Sequence, residues 1–320
     1  MREFGFESTA SEVLAGIDLR GRTAFITGGY SGIGEETART MTERGAHVVI
    51  AGRDLERAEA SAQEMRNAVE GAEVEAIACD LGSLDAVRTC GEEARSRLRK
   101  IDLLINNAGV MACPFGRTAD DFELQFGTNH LGHFLLTREL MPLVETGERA
   151  RIVNLSSLGH HRDQVHFEDP NYEHRGYEKW SAYGQSKTAN ILFTVGLEAR
   201  FASQGIHSFA VHPGAIMTNL GRHLTEEDIA ALRKTMEERA ANDGGQPEGL
   251  KTIPQGAATT CFAATAPELE GRGGVYLENV QIAKVDDEST SSGVRSYALD
   301  PGNAERLWAM SEALVDSSRL

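Results

Sequence analysis

The sequence predicts an α/β chain built on an open, doubly wound, mostly parallel sheet of seven strands, and three observations carry that prediction. Short apolar runs rich in β-branched residues recur at TAFIT (23–27), HVVIA (47–51), VEAIA (74–78), IDLLIN (101–106), RIVNL (151–155) and HSFAV (207–211). Longer amphipathic stretches, such as LERAEASAQEMRNAV (55–69) and LDAVRTCGEEARSRLR (84–99), separate most of them. A turn signal follows each strand, so strand, helix and strand alternate, which implies parallel pairing through right-handed crossovers with helices on both faces. GVYLEN (274–279) supplies the seventh strand at one edge.

Composition bounds what such a sheet can serve. A chain of 320 residues, 41% hydrophobic and 25% charged, buries a sizeable core and contains no run of ~20 apolar residues of the kind that crosses a membrane. The expectation is one domain over 1–320, with an N-terminal extension (1–20), an insertion at about 215–256 and a C-terminal tail (285–320). A net charge of −16 argues against a nucleic-acid partner, because phosphate binding needs concentrated positive charge. The four cysteines (Cys79, Cys90, Cys113, Cys261) lie far apart without zinc-like spacing, so no metal is expected and a reduced, cytoplasmic setting fits. The opening stretch, with three Glu and one Asp, reads as neither a signal peptide nor an anchor.

Two departures from the alternation stand out. From about Leu220 to Gly256 the chain is charged, helical in pattern at TEEDIAALRKTMEERAA and loose at NDGGQPEG, which reads as a lid or pocket wall. In the tail, NAERLWAMSEALV carries an apolar stripe at Leu307, Met310 and Leu314, expected to pack on the main body.

The first chemical signal follows the first strand. Gly28, Ser31, Gly32, Ile33 and Gly34, in TGGYSGIG, lead directly into the helical pattern EETARTMTERG. Glycines there let backbone approach a pyrophosphate, and the helix N-terminus offers it free N–H groups and a favourable dipole. The second strand should then select the dinucleotide. An acid at its tip holds the ribose hydroxyls of NAD and repels a 2′-phosphate; here the tip is Ala51-Gly52-Arg53, and a guanidinium takes a phosphate bidentately. NADP(H) is therefore expected, with NAD(H) as the alternative. Asp54 reads more simply as the N-cap of the next helix.

The second signal is Tyr183-Gly184-Gln185-Ser186-Lys187. A tyrosine and a lysine four apart share one helix face, so the ammonium can sit beside the phenol and favour its ionised form, which tunes a proton donor. Ser157 ends the strand RIVNLSS at the carboxyl edge of the sheet, where such folds hold ligands, and Ser156 is its rival.

TGGYSGIG, Asn106-Asn107-Ala108-Gly109, NHLGHF with Asn129, NLSS, YGQSK and Val211-His212-Pro213-Gly214, in that order over about residues 20–280, resemble the motif set of the short-chain dehydrogenase/reductases, which have a Rossmann fold. The segment HHRDQVHFEDPNYEHRGYEKWSAYGQSKTAN is similar to retinol-dehydrogenase-like and protochlorophyllide-reductase-like members. The resemblance implies that Tyr183 is the catalytic acid or base, that Lys187 binds the nicotinamide ribose and lowers the tyrosine pKa, that Ser157 orients the substrate carbonyl and that Asn129 completes a proton relay through water. It further implies that the glycine motif holds the pyrophosphate, Asp80 and Leu81 the adenine, Asn107 with Ala108 and Gly109 the ribose region, and Pro213, Gly214, Ile216 and Thr218 the carboxamide end. Many relatives pair through the helices that carry Asn129 and Tyr183, so a homo-oligomer is an expectation, although the long insertions could block that surface.

The remaining readings are plainer. His160, His161, His166 and His174 fall in a polar loop without regular spacing and are expected to be solvated; His130 and His133 read as packing or subunit-contact residues. Met111 to Arg117, the aromatics Phe167, Tyr172, Tyr177 and Trp180, and the 215–255 segment should bound a pocket for a lipophilic ketone, aldehyde or alcohol. A nucleotide-binding fold can also serve as a non-catalytic NADP(H) sensor, and the intact serine, tyrosine and lysine tell against that alternative.

Overall fold

The structure, a computed structural model, describes residues 4–242 and 249–317. In chain order the elements are α1 (Ala10–Val13), β1 (Thr23–Thr27), α2 (Gly32–Glu43), β2 (His47–Gly52), α3 (Leu55–Ala68), β3 (Val74–Ala78), α4 (Leu84–Arg97) and β4 (Leu103–Asn106). A short α5 (Leu124–Phe126) and a π-helical turn (Gly127–Leu131) open α6 (Gly132–Val144), followed by β5 (Arg151–Leu155), a 3₁₀ turn (Leu158–Arg162), α7 (Lys179–Phe201) and β6 (His207–His212). Then come α8 (Glu226–Asn242), α9 (Ile253–Thr265), β7 (Val275–Glu278), β8 (Gln281–Ile282) and α10 (Pro301–Ser317).

The sheet runs β3-β2-β1-β4-β5-β6-β7-β8. Its first seven strands are parallel, as expected. The sequence missed β8, a two-residue antiparallel return that pairs Leu277 with Ile282, because two residues hold no periodicity to read. Successive strand residues point to opposite faces. Phe25 therefore joins one core cluster, built with α4, α6, α7 and α10, while Ala24 and Ile26 join the other, built with α1, α2, α3 and α9. After β3 the chain returns to lay β4 beside β1, and the loops that follow these two strands diverge to opposite faces, which opens a crevice at the carboxyl edge.

Local signals act where they were read. Asp54 caps α3 by accepting from the Arg57 amide. The N-terminal extension is tied down: Thr9 and Glu12 form a reciprocal capping box on α1, which packs on α9. In the tail helix Leu307 is buried while Met310 and Leu314 are partly buried against the core. Trp308 lies 5.1 Å from the Phe134 ring and 5.9 Å from that of Phe193, so α10 covers the face of α6 and α7 that the resemblance implied for pairing. Most of NDGGQPEG lies outside the described residues. Of the expected lid, α8 starts at a Thr225–Asp228 cap and is moored to the start of α7 by a 2.6 Å Lys179–Asp228 ion pair. No described helix is long and apolar enough to cross a membrane.

Candidate active site

The carboxyl ends of β1, β4, β5 and β6 bring the sequence candidates to one edge of the sheet. Thr27 organises the crevice between β1 and β4: its hydroxyl accepts from the amides of Asn107 at 2.9 Å and Ala108 at 3.0 Å, and the Asn107 carboxamide donates to the Thr27 carbonyl at 2.8 Å. His133 completes this bracket. Its Nδ1 lies 2.9 Å from the Asn129 carbonyl and its Nε2 2.9 Å from the Thr27 hydroxyl, so it is a neutral packing histidine, as read, with burial holding its pKa down at about 4.

The glycine turn fits a dinucleotide pyrophosphate. Gly32 takes a left-handed φ of 56°, and a Cβ on Gly34 would run into the Gly28 carbonyl and the Asn107 amide. Ser31 sits at the N-cap of α2 without a side-chain cap bond, which leaves the first N–H groups of that helix for an outside acceptor. The segment after β6 arches over the same turn: Thr218 lies against Gly32, and Ile216 packs on Gly256 near Ile33. Gly214 reaches its φ of 98° beside His212, which accepts from the Gly214 amide. Asp80 is half-buried at the end of β3, and Leu81 is buried against Gly132. Arg53 is exposed at the tip of β2. Beside it the Tyr30 ring covers Gly52, and the Arg57 guanidinium stands 5.5 Å from that ring.

Tyr183 and Lys187 do share one face of α7, each only 4% exposed, with Nζ 5.5 Å from the ring centroid. Nζ donates to the Leu155 carbonyl at 3.0 Å. Burial pulls Lys187 down to about 8. It also pushes the Tyr183 phenol up to about 12, against the lowering effect of a hydrogen bond from Ser157. The helical spacing foresaw the cation beside the ring; it did not foresee the loss of water that dominates the phenol here.

The two serines separate cleanly. Ser156 is buried, and its hydroxyl donates to the Lys187 carbonyl at 2.9 Å. The Ser157 hydroxyl instead faces the Tyr183 phenol and accepts from the Gly159 amide at 3.0 Å. Asn129 lies within the π-helical turn, a local widening common at functional sites. Its carboxamide brackets Val110, accepting from the amide at 2.8 Å and donating to the carbonyl at 2.9 Å, and also donates to Ser186 at 2.9 Å. Gly109 is pressed between this group and Lys187, which places the 107–109 turn beside the ammonium.

Two expectations need correction. His160 is fully buried rather than solvated, and His161 is half-buried with Nε2 3.0 Å from the Gly293 carbonyl; His174 is exposed, and His166 pairs with Asp163. Phe167 packs on the core beneath Arg306 of α10, 4.2 Å from its guanidinium, and so belongs to the tail interface. Tyr172 and Tyr177 act as bracing: Tyr172 bonds Ser181 at 3.0 Å, and Tyr177 donates to the Cys113 carbonyl at 2.9 Å. Gln125, which no sequence signal marked, ties that wall together by bonding Ala112, Tyr177 and the Lys179 carbonyl. Phe115, Met217, Leu250 and Ile253 are all exposed. A groove of about 1140 Å³ opens at the opposite edge, near Arg20, Gly45 and Lys100, and none of the candidate residues lines it. No described residues form a metal-binding cluster.

A doubly wound sheet with a glycine turn at its crevice and a tyrosine, lysine and serine at the same edge defines a nicotinamide-dependent oxidoreductase. The family model for short-chain dehydrogenases matches residues 22–229, and the chain belongs to the short-chain dehydrogenase/reductase family. It is 38% identical to the short-chain dehydrogenase/reductase prx1 of Penicillium rubens over 97% of this chain and 91% of that protein. It is 37% identical to human retinol dehydrogenase 13 over 93% and 85% of the respective chains. Among solved structures, a short-chain dehydrogenase from Burkholderia cenocepacia in complex with NADP aligns with a TM-score of 0.63 at 26% identity, covering 81% of this chain and 96% of that one.

Proposed function

We propose that the chain is an NADP(H)-dependent carbonyl reductase and alcohol dehydrogenase for lipophilic ketones or aldehydes, with Tyr183 as the proton donor and acceptor. One observation carries the reading: the Tyr183 phenol, the Ser157 hydroxyl and the Lys187 ammonium converge at the edge of the sheet that also holds the glycine turn. Gly28, Ser31, Gly32, Ile33 and Gly34 would cradle the pyrophosphate, and Asp80 and Leu81 would border the adenine. Asn107, Ala108 and Gly109 would meet the ribose, while Pro213, Gly214, Ile216 and Thr218 would meet the carboxamide. Arg53, with Tyr30 and Arg57 behind it, supports the choice of NADP(H), because an exposed guanidinium with no acid at the strand tip favours a 2′-phosphate.

When bound, the nicotinamide supplies or takes up the hydride. The chain handles the proton and the geometry. Ser157 donates to the substrate oxygen and orients the carbonyl; Tyr183 gives that oxygen its proton in reduction and removes it in oxidation. Lys187 holds positive charge beside the phenol and lowers the cost of the phenolate that results. Asn129 locks the 107–110 loop to α7, and a water between it and Lys187 would complete the relay to solvent. Exposed apolar side chains in the segments that flank the edge, Phe115, Met217, Leu250 and Ile253, support a lipophilic substrate, and the name of the retinol dehydrogenase relative makes retinal a fitting member of the test panel.

The test is NADPH consumption with retinal, decanal, cyclohexanone and a small polar carbonyl, run with and without Y183F. The proposal expects turnover on the apolar members, loss of roughly 100-fold or more in Y183F and unchanged NADPH binding. Turnover confined to the polar carbonyl removes the substrate class; equal activity in Y183F removes the mechanism.

A further inference from the structure

Among the buried titratable groups that this chemistry leaves unused, His160 is the most tightly specified. It follows Ser157 by three residues in the 3₁₀ turn, and its ring is 0% exposed. Nδ1 lies 2.7 Å from the Ser157 carbonyl, and Nε2 lies 3.2 Å from the backbone amide of Arg295. A carbonyl only accepts and an amide only donates, so Nδ1 must carry the proton and Nε2 the lone pair; a single neutral tautomer meets both demands. Burial, aided by His161, holds the imidazole pKa down at about 3, so it stays in that form.

The far end of this clamp is itself rigid. The Arg295 guanidinium donates to the Asp286 carbonyl at 2.7 Å and the Ser289 carbonyl at 2.6 Å, and the Ser296 amide donates to Asp287 at 2.8 Å, which closes residues 286–296 into a strap. Tyr297 then donates its hydroxyl to the His160 carbonyl at 2.5 Å, and Thr188, the neighbour of Lys187 on α7, donates to the same oxygen at 3.3 Å. The titratable and charged groups packed around His160 are His161 in its own turn, His212 from β6, Tyr276 from β7, and Arg295 and Tyr297 from the strap. On its other side the turn meets the active site: a Cβ on Gly159 would stand 2.8 Å from Cε1 of Tyr183, so a small shift of the turn changes how Ser157 meets the phenol.

We propose that His160 is a positioning residue, a neutral imidazole through which the 286–297 strap holds the Ser157 hydroxyl against the Tyr183 phenol. The proposal rests on the reading of Ser157 and Tyr183 given above. Removing the clamp loosens the hydrogen bond that Ser157 donates, and a phenolate that loses a donor becomes harder to form. A misplacement of this kind costs rate without removing any group that touches substrate or cofactor.

Two variants divide the possibilities. H160F keeps the ring and loses both bonds; H160N keeps a side-chain N–H near the position of Nδ1 and so retains the link to the Ser157 carbonyl. The primary readout needs no substrate: ultraviolet phenolate titration of the NADP⁺ complex, with Y183F subtracted to isolate Tyr183. We expect H160F to move the Tyr183 titration to higher pH by about one pH unit, H160N, which keeps the Ser157 link but loses the one to the Arg295 amide, to shift it in the same direction by less, and both to bind NADP⁺ unchanged. In turnover on the panel above, H160F should lose on the order of 10-fold to 100-fold in kcat with KM for NADPH unaltered, and H160N should fall between H160F and the parent. Should H160F fail to fold, Y297F loosens the strap without touching the imidazole and should shift the titration in the same direction. A Tyr183 titration in H160F, or in Y297F if that stands in for it, that matches the parent overturns the proposal. So does a parallel loss of melting temperature and NADP⁺ binding in H160F and H160N with no change in titration, the mark of a purely structural role. Full turnover in Y183F strikes instead at the underlying reading and is distinguishable from both.

Discussion

Replacing Lys187 by methionine should abolish activity and yet stabilise the fold at neutral pH. Burial lowers this lysine from its ordinary 10.5 to about 8. At about 1.4 kcal/mol per pH unit, carrying the charge in the folded chain near pH 7 costs about 3 kcal/mol relative to the unfolded chain. Methionine matches the stem and brings no charge, so that penalty disappears. It also forfeits the bond from Nζ to the Leu155 carbonyl, worth about 1.5 kcal/mol for a charged donor. That carbonyl keeps a partner, because the Asn190 carboxamide also donates to it at 2.9 Å. The net gain is about 1 to 2 kcal/mol, or about 2 °C in Tm for a chain of 320 residues.

The pH dependence gives this prediction its sign. Between pH 8 and 10.5 the unfolded chain holds the lysine proton and the folded chain does not, so the stability of the parent rises with pH across that window. The advantage of K187M should therefore be largest near pH 7 and should shrink, then reverse, towards pH 10. Denaturant unfolding of both chains at a series of pH values measures the difference, and NADPH oxidation measures the loss of turnover. A K187M chain that is less stable at pH 7, or a stability difference that does not change with pH, refutes the argument from desolvation.

The other predictions concern separate parts of the molecule. S157A should lower kcat by about 10-fold to 100-fold, whereas S156A, whose hydroxyl serves the Lys187 carbonyl, should cost about 1 kcal/mol of stability with kcat nearly intact; steady-state kinetics and thermal melts separate the two. R53E should weaken NADPH binding by about 10-fold or more and leave NADH binding within a few-fold, read by cofactor fluorescence. W308A should cost about 3 kcal/mol by stripping the contacts that α10 makes with Phe134 and Phe193. The full chain should scatter light as a monomer, and truncation ahead of Pro301 should expose that apolar face and drive association.

The alternation of strands and helices, the glycine turn, and the pairing of Tyr183 with Lys187 were all legible in the residues. These rest on local rules: β-branched runs make strands, period 3.6 places residues four apart on one face, and an Asp before a helix caps it. The sequence also left Ser156 and Ser157 as rivals, since adjacent residues at a strand end differ only in which way the pleat and the next turn point them. Only tertiary structure turned one towards the Lys187 carbonyl and the other towards the phenol. The same holds for His160: a loop rich in His, Arg and Asp reads as solvated until a strap more than a hundred residues later closes over it and supplies Arg295 and Tyr297. Phe167 met the tail helix for the same reason. Burial is decided by which distant segments pack together, so the desolvation that sets the pKa values of Tyr183 and Lys187 was not written in their spacing.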